Sequence, residues 1–150
     1  DGKDLYGAVK EDRKIHDSIL FGVHGSQVNL YDGRYCYMKS SVDRSLPVYQ
    51  ETLMPTNMRG FIESSGTDRA ELADGGRYSN GHKVLRIPVT SIYERLKLGT
   101  ALYDKKEDPM QQRPLEDEHL MKEMDGKLKA AMEAVDAPGW QFERMGFTKG

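Results

Sequence analysis

Val28-Asn29-Leu30-Tyr31-Asp32-Gly33-Arg34-Tyr35-Cys36-Tyr37-Met38 is the stretch on which the reading of this 150-residue chain turns. Asp32-Gly33 lies between two short runs rich in β-branched and aromatic residues, and that dipeptide tolerates the positive φ a tight hairpin turn requires. With a two-residue turn there, Leu30 faces Tyr35 and Val28 faces Tyr37 on one side, and Asn29 faces Cys36 on the other. The apolar side needs a cover. Working outward, Ile19-Leu20-Phe21-Gly22-Val23 reads as a preceding strand. Val84-Leu85-Arg86-Ile87-Pro88-Val89 and Thr100-Ala101-Leu102-Tyr103-Asp104 read as later ones, Pro88 confining the end of its strand to a sheet edge. Leu120, Met121, Met124, Leu128, Ala131, Met132 and Val135 then recur at three- and four-residue steps, the stripe of a helix. It should start near Glu116 or Asp117 and end at Pro138-Gly139, with Trp140 and Phe142 pinning the tail to the core. The expected fold is α+β: a small antiparallel sheet of about four strands packed by a C-terminal helix.

Between Ser40 and His82 the periodicity lapses. Ser40-Ser41, Ser64-Ser65-Gly66-Thr67 and Asp74-Gly75-Gly76 are turn chemistry around an island from Tyr49 to Ile62, so a long loop at about 40–82 is expected. The start at Asp1 without an initiator Met, and the end at Thr148-Lys149-Gly150, read as a piece of something longer.

Composition narrows the function classes. The 22 Lys and Arg against 24 Asp and Glu give a formal charge of −2, with no basic stripe for nucleic acid or an anionic membrane. No apolar run approaches the roughly 18–20 residues of a membrane span. Cys36 is the only cysteine, which excludes an internal disulfide framework, and His16, His24, His82 and His119 are scattered rather than set at zinc-ligand spacings. There is no phosphate loop, no H-E-x-x-H and no nucleophile elbow. Gly22-Val23-His24-Gly25-Ser26 has turn glycines but no following Lys-Ser/Thr or helix, so it reads as a hairpin turn. His24 and His82 have no orienting carboxylate beside them in the chain, and read more plainly as surface histidines than as acid/base groups. Catalytic and metal-ligating residues are therefore both expected to be none.

Taken in order, the motifs resemble the C-terminal portion of an arylsulfatase-type sulfatase, of the alkaline-phosphatase superfamily. Four stretches carry the resemblance: Asp1-Gly2-Lys3-Asp4-Leu5, the hairpin region from Ile19 to Lys39, Tyr49 to Arg59 with its Thr52-Leu53-Met54-Pro55, and Leu102-Tyr103-Asp104 with Asp108-Pro109 before a helix. They span nearly all of residues 1–150. The resemblance implies a sulfatase C-terminal subdomain whose catalytic N-terminal domain is absent, the parent being a sulfuric ester hydrolase acting on a sulfated small molecule or glycan. Formylglycine and Ca²⁺ are implied for that catalytic domain; Cys36 is followed by Tyr37, Met38 and Lys39 and lacks the Pro and Arg of a C/S-x-P-x-R motif. No cofactor is expected in this chain, and the chain alone is expected to be inactive. Where relatives are expected to carry His, Gln27 and Asn57 stand here.

A sulfated substrate is an anion, so a subdomain lending residues to its pocket rim should offer cations and hydrogen-bond donors on loops. His24 and Gln27, Asn57 and Arg59, and His82 and Lys83 meet that description, Arg59 foremost because its planar fork binds sulfate bidentately. Leu53, Met54, Met58 and Phe61 form the apolar patch expected to face the catalytic domain or, without it, to drive self-association. The alternative is a free-standing, non-enzymatic interaction module.

Overall fold

A computed structural model describes residues 3–57, 60–62, 68–90 and 97–150, and of Asn57 the backbone only. Its helices are α1 (Leu5–Lys10), α2 (Glu118–Ala134) and α3 (Gly139–Arg144). Its strands are β1 (Ile19–Gly22), β2 (Val28–Tyr31), β3 (Tyr35–Lys39), β4 (Val48–Thr52), β5 (Thr56–Asn57), β6 (Gly60–Phe61), β7 (Glu71–Asp74), β8 (Lys83–Val89) and β9 (Ala101–Asp104). The fold is α+β, and the expected four-stranded antiparallel sheet is present in the order β1-β2-β3-β9.

The hairpin β2–β3 forms two residues out of the expected register: Leu30 lies opposite Tyr37, and Tyr31 opposite Cys36. The reason is Asp32. Its Oδ1 accepts hydrogen bonds from the amides of Arg34 at 3.0 Å and Tyr35 at 2.8 Å, and its own amide donates to the Tyr35 carbonyl, so Asp32 closes the turn instead of forming its tip. The tip moves to Gly33, at φ +101°, and Arg34. A slip of two preserves the faces, because side chains alternate with period two. Leu20, Leu30, Tyr37 and Leu102 consequently form one row across the four strands.

Helix α2 covers that row. Its Met124, Leu128 and Met132 are buried with Leu30, Tyr37 and Leu102, and Phe142 of α3 and Met145 close the cluster. Asp117 caps the start, its carboxylate accepting from the Leu120 amide at 2.9 Å. The end comes earlier than Pro138-Gly139. Asp136 at φ +54° turns the chain back, its amide donating to Glu133 and that of Ala137 to Met132, a Schellman closure. Val135 therefore caps the helix and is exposed rather than part of the stripe. The Tyr37 hydroxyl donates to Asp125 of α2 at 2.7 Å and Lys39 Nζ to the other Asp125 oxygen at 3.0 Å. Burial, then the Asp125 carboxylate, holds the Tyr37 phenol above its ordinary range. Cys36 is on the opposite sheet face, buried, with burial pushing its thiol up.

The long loop expected at 40–82 is a correction. β4, β5, β6, β7 and a 3₁₀ turn at Arg77–Ser79 fall in it, and β4-β8-β7 make a second antiparallel sheet with β8 in the centre. The strand read at 84–89 belongs to this second sheet. Pro88 lies beyond the end of β7, whose pairing starts at Glu71 opposite Arg86, so β8 is locally an edge there. The strands escaped notice because their pattern is inverted. Ala73 is the buried residue of β7 while Leu72 is 72% exposed, and β4 places Glu51 opposite Arg86 where an apolar pair would normally announce a strand.

The corner between β7 and β8 leaves no room at Gly75, where an added Cβ would overlap Ser79 and Val84. Gly75→Ala is expected to cost about 1–3 kcal/mol, read as a lowered urea midpoint with an unchanged slope. Full wild-type stability would mean the corner is looser than described.

Candidate functional site

A groove opens where the two sheets meet the start of α3. β4 supplies Tyr49, Gln50 and Glu51, the turn after β1 brings His24, the 3₁₀ turn brings Tyr78, and the first turn of α3 brings Trp140. Trp140 can reach across because the Schellman turn at Asp136 and the extended Pro138 swing the chain off α2 toward the second sheet. Its ring meets Tyr49 edge to face, with centroids 5.6 Å apart at 67°.

The floor is polar. Glu51, with only 10% of its side chain exposed, accepts from Arg86 Nε at 2.8 Å and from Trp140 Nε1 at 3.2 Å, both on Oε1. Arg86 also reaches Glu71 at 3.4 Å, and its guanidinium lies 5.7 Å from the centre of the Tyr49 ring. Burial opposes the Arg86 charge, but Glu51 and Glu71 outweigh it and hold that charge more firmly than in a free arginine. Burial and the Glu51 charge push the Tyr78 phenol up, Arg86 offsetting part. His24 Nε2 donates to the Tyr49 carbonyl at 2.9 Å, which fixes that nitrogen as the protonated one.

The sequence-predicted site residues fall in three places. His24 and Gln27 share the turn after β1 and both border the cleft beside Trp140. Gln27 Nε2 donates to the Gly99 carbonyl at 2.5 Å, and with Ser40 and Arg44, which donate to Leu98, it straps the chain entering β9 to the sheet. Arg144, buried, lines a separate pocket together with Gln27, Ser40, Arg44 and Leu98. His82 and Lys83 sit at the start of β8, outside the groove. The His82 amide donates to Ser79 and its carbonyl accepts from the Ser79 hydroxyl at 2.7 Å, while Lys83 pairs with Asp74 at 2.5 Å. Asn57 pairs its backbone with Gly60; its side chain and the whole of Arg59 lie outside the described residues.

Sequence reasoning missed Tyr49, Glu51, Tyr78 and Arg86 and gave Trp140 only an anchoring role. Their proximity depends on the β4–β8 register, in which Glu51 faces Arg86. Among the described residues no group of three or more His, Cys, Asp or Glu side chains is gathered to hold a metal ion, and no helix is long and apolar enough to cross a membrane. No family model, no curated protein and no solved structure matches this chain.

Proposed function

We propose that the chain is the C-terminal subdomain of a sulfatase, packing against a catalytic domain and lending it part of the substrate-pocket rim. One observation carries this reading: two of the stretches that resemble sulfatases, the hairpin and Leu102-Tyr103-Asp104 with Asp108, are bonded to one another. Arg34, of the Asp32-Gly33-Arg34-Tyr35 stretch, pairs with Asp104, of Leu102-Tyr103-Asp104, at 2.6 Å. Asp104 also accepts from the amides of Lys106 and Glu107, and the Asp108 amide donates back to the Asp104 carbonyl at 2.7 Å. Residues 70 apart in sequence thus join the hairpin to the turn that leads into α2. Such a junction gives a physical reason for those motifs to occur together.

Formylglycine and Ca²⁺ would belong to the catalytic domain, supplying the nucleophile and neutralising sulfate charge. The residues described here do not fit either role. Cys36 is buried on β3, where burial pushes its thiol pKa up, the opposite of what a reactive cysteine needs.

The upstream reading frame tests the proposal. It should encode C/S-x-P-x-R and a strand-borne Asp-Asp pair, and a frame without them removes the assignment. The purified chain should show no aryl-sulfate turnover; turnover that survives Cys36→Ala would sink the reading from the other side. The free-standing interaction module has its own supporting observation. Leu53, Met54 and Phe61 are 55%, 64% and 81% exposed, an apolar strip beside β5–β6; Met58 lies outside the described residues. Concentration-dependent sedimentation, with no sulfatase motif upstream, would favour that module.

A further inference from the structure

The groove at Glu51 gathers a carboxylate, an amide and aromatic rings on one open surface. Glu51 is a nearly buried carboxylate, and among the described residues both of its donors fall on Oε1, leaving Oε2 to accept from whatever enters. Flanking it are the indole of Trp140 and the phenol of Tyr78, the latter 60% exposed. Gln50 borders the same space with an amide that can donate and accept.

The charge balance selects among ligands. Arg86 neutralises Glu51 at 2.8 Å and also lies over Tyr49, so one face of a would-be aromatic cage already holds a cation. A second cation, such as a quaternary ammonium, would meet Arg86. An anion would meet Glu51. A neutral ring carrying hydroxyls meets neither penalty: its hydroxyls donate to Oε2 and bond Gln50, while its C–H face lies against Trp140 and Tyr78.

We propose that this groove binds a neutral pyranose ring of a saccharide. The inference stands on the groove alone. If the sulfatase proposal also holds, it makes the parent substrate a glycan and this groove the seat of an unsulfated ring.

Trp140 is the single tryptophan of the chain, so its fluorescence reports on the groove directly. The full chain would be titrated with cellotriose, maltotriose, chitotriose and β-1,4-galactobiose, and in parallel with choline chloride and sodium sulfate. A saturable change is expected with at least one of the saccharides, at a Kd of about 1–10 mM for so open a site. Tyr78→Ala should weaken that binding about tenfold without altering the melting temperature, as should Glu51→Gln where the variant remains folded. The proposal is overturned if no saccharide saturates by about 50 mM. It is equally overturned if choline or sulfate alone saturates, or if Tyr78→Ala leaves the saccharide Kd unchanged. None of these outcomes depends on sulfate hydrolysis or on the upstream reading frame, so the two proposals fail separately.

Discussion

Phe142→Ala is expected to lower the free energy of unfolding by about 3–5 kcal/mol, the largest single-residue effect we anticipate. Phe142 is fully buried, where it packs with Met124, Leu128, Met132 and Met145. Its carbonyl also accepts the Phe147 amide at 2.8 Å in the turn at Gly146, φ +74°, that ends α3. A helix of six residues cannot hold itself together in water, so α3 exists because Phe142 is anchored. Removing the ring leaves a cavity under α2 and takes away the anchor of α3. Urea denaturation should report the loss as a lower midpoint, and thermal melting as a fall of roughly 6–20 °C for a domain of this size. The same variant tests the groove by another route. Trp140 sits two residues away on α3, so its fluorescence should shift toward that of a solvated indole as α3 loosens. A change below about 1 kcal/mol would mean that α3 is not part of the core.

How much of this was legible beforehand follows from where the information lay. The row Leu30, Tyr37, Leu102 and the stripe Met124, Leu128, Met132 are apolar at the right periods, so the first sheet and its covering helix could be read from the chain. The helix start, read near Glu116 or Asp117, falls at Asp117, which caps it, because a helix terminus is a local event. Register was not. The side chain of Asp32 can either sit at the tip of a turn or close it by accepting two amides, and both conformations suit Asp-Gly; only the folded hairpin shows that Asp32 closes the turn. The second sheet was hidden more deeply. β8 buries Val84 and Ile87 and could be read, but β7 buries only the small Ala73 and β4 only Val48, and only the finished β4–β8 pairing reveals Glu51 and Arg86 as partners. The groove inherits that opacity, since its walls come from elements as far apart as His24 and Trp140.

Asp32→Ala is the second large effect, expected to cost about 1–3 kcal/mol because it unties a turn and an ion pair together. Asp32 Oδ1 holds the amides of Arg34 and Tyr35, which fix the hairpin tip, while Oδ2 accepts from Lys127 of α2 at 2.8 Å. Its side chain is only 13% exposed, so the amides it releases are not fully compensated by water. Asp32→Asn separates the two contributions: the amide oxygen can still cap the turn, but the charge facing Lys127 is gone, so less than half the loss is expected. The pH dependence has a definite sign. Burial of Asp32 opposes its charge, but the hydrogen bond from Lys127 and the two backbone amides outweigh it, and its pKa falls below 3.8. A carboxylate depressed in the folded state stabilises fully above its unfolded value and loses that contribution as the pH falls through the folded one. Asp43, Asp74, Asp104 and Asp136 are lowered in the same direction, so the whole chain should destabilise in acid. The gap between wild type and Asp32→Ala should therefore be widest at neutral pH and narrow as pH drops below 3.8, when the wild-type carboxyl protonates as well. A gap that stays constant down to the acid transition would mean that neither Lys127 nor the turn amides favour the charged form of Asp32 measurably.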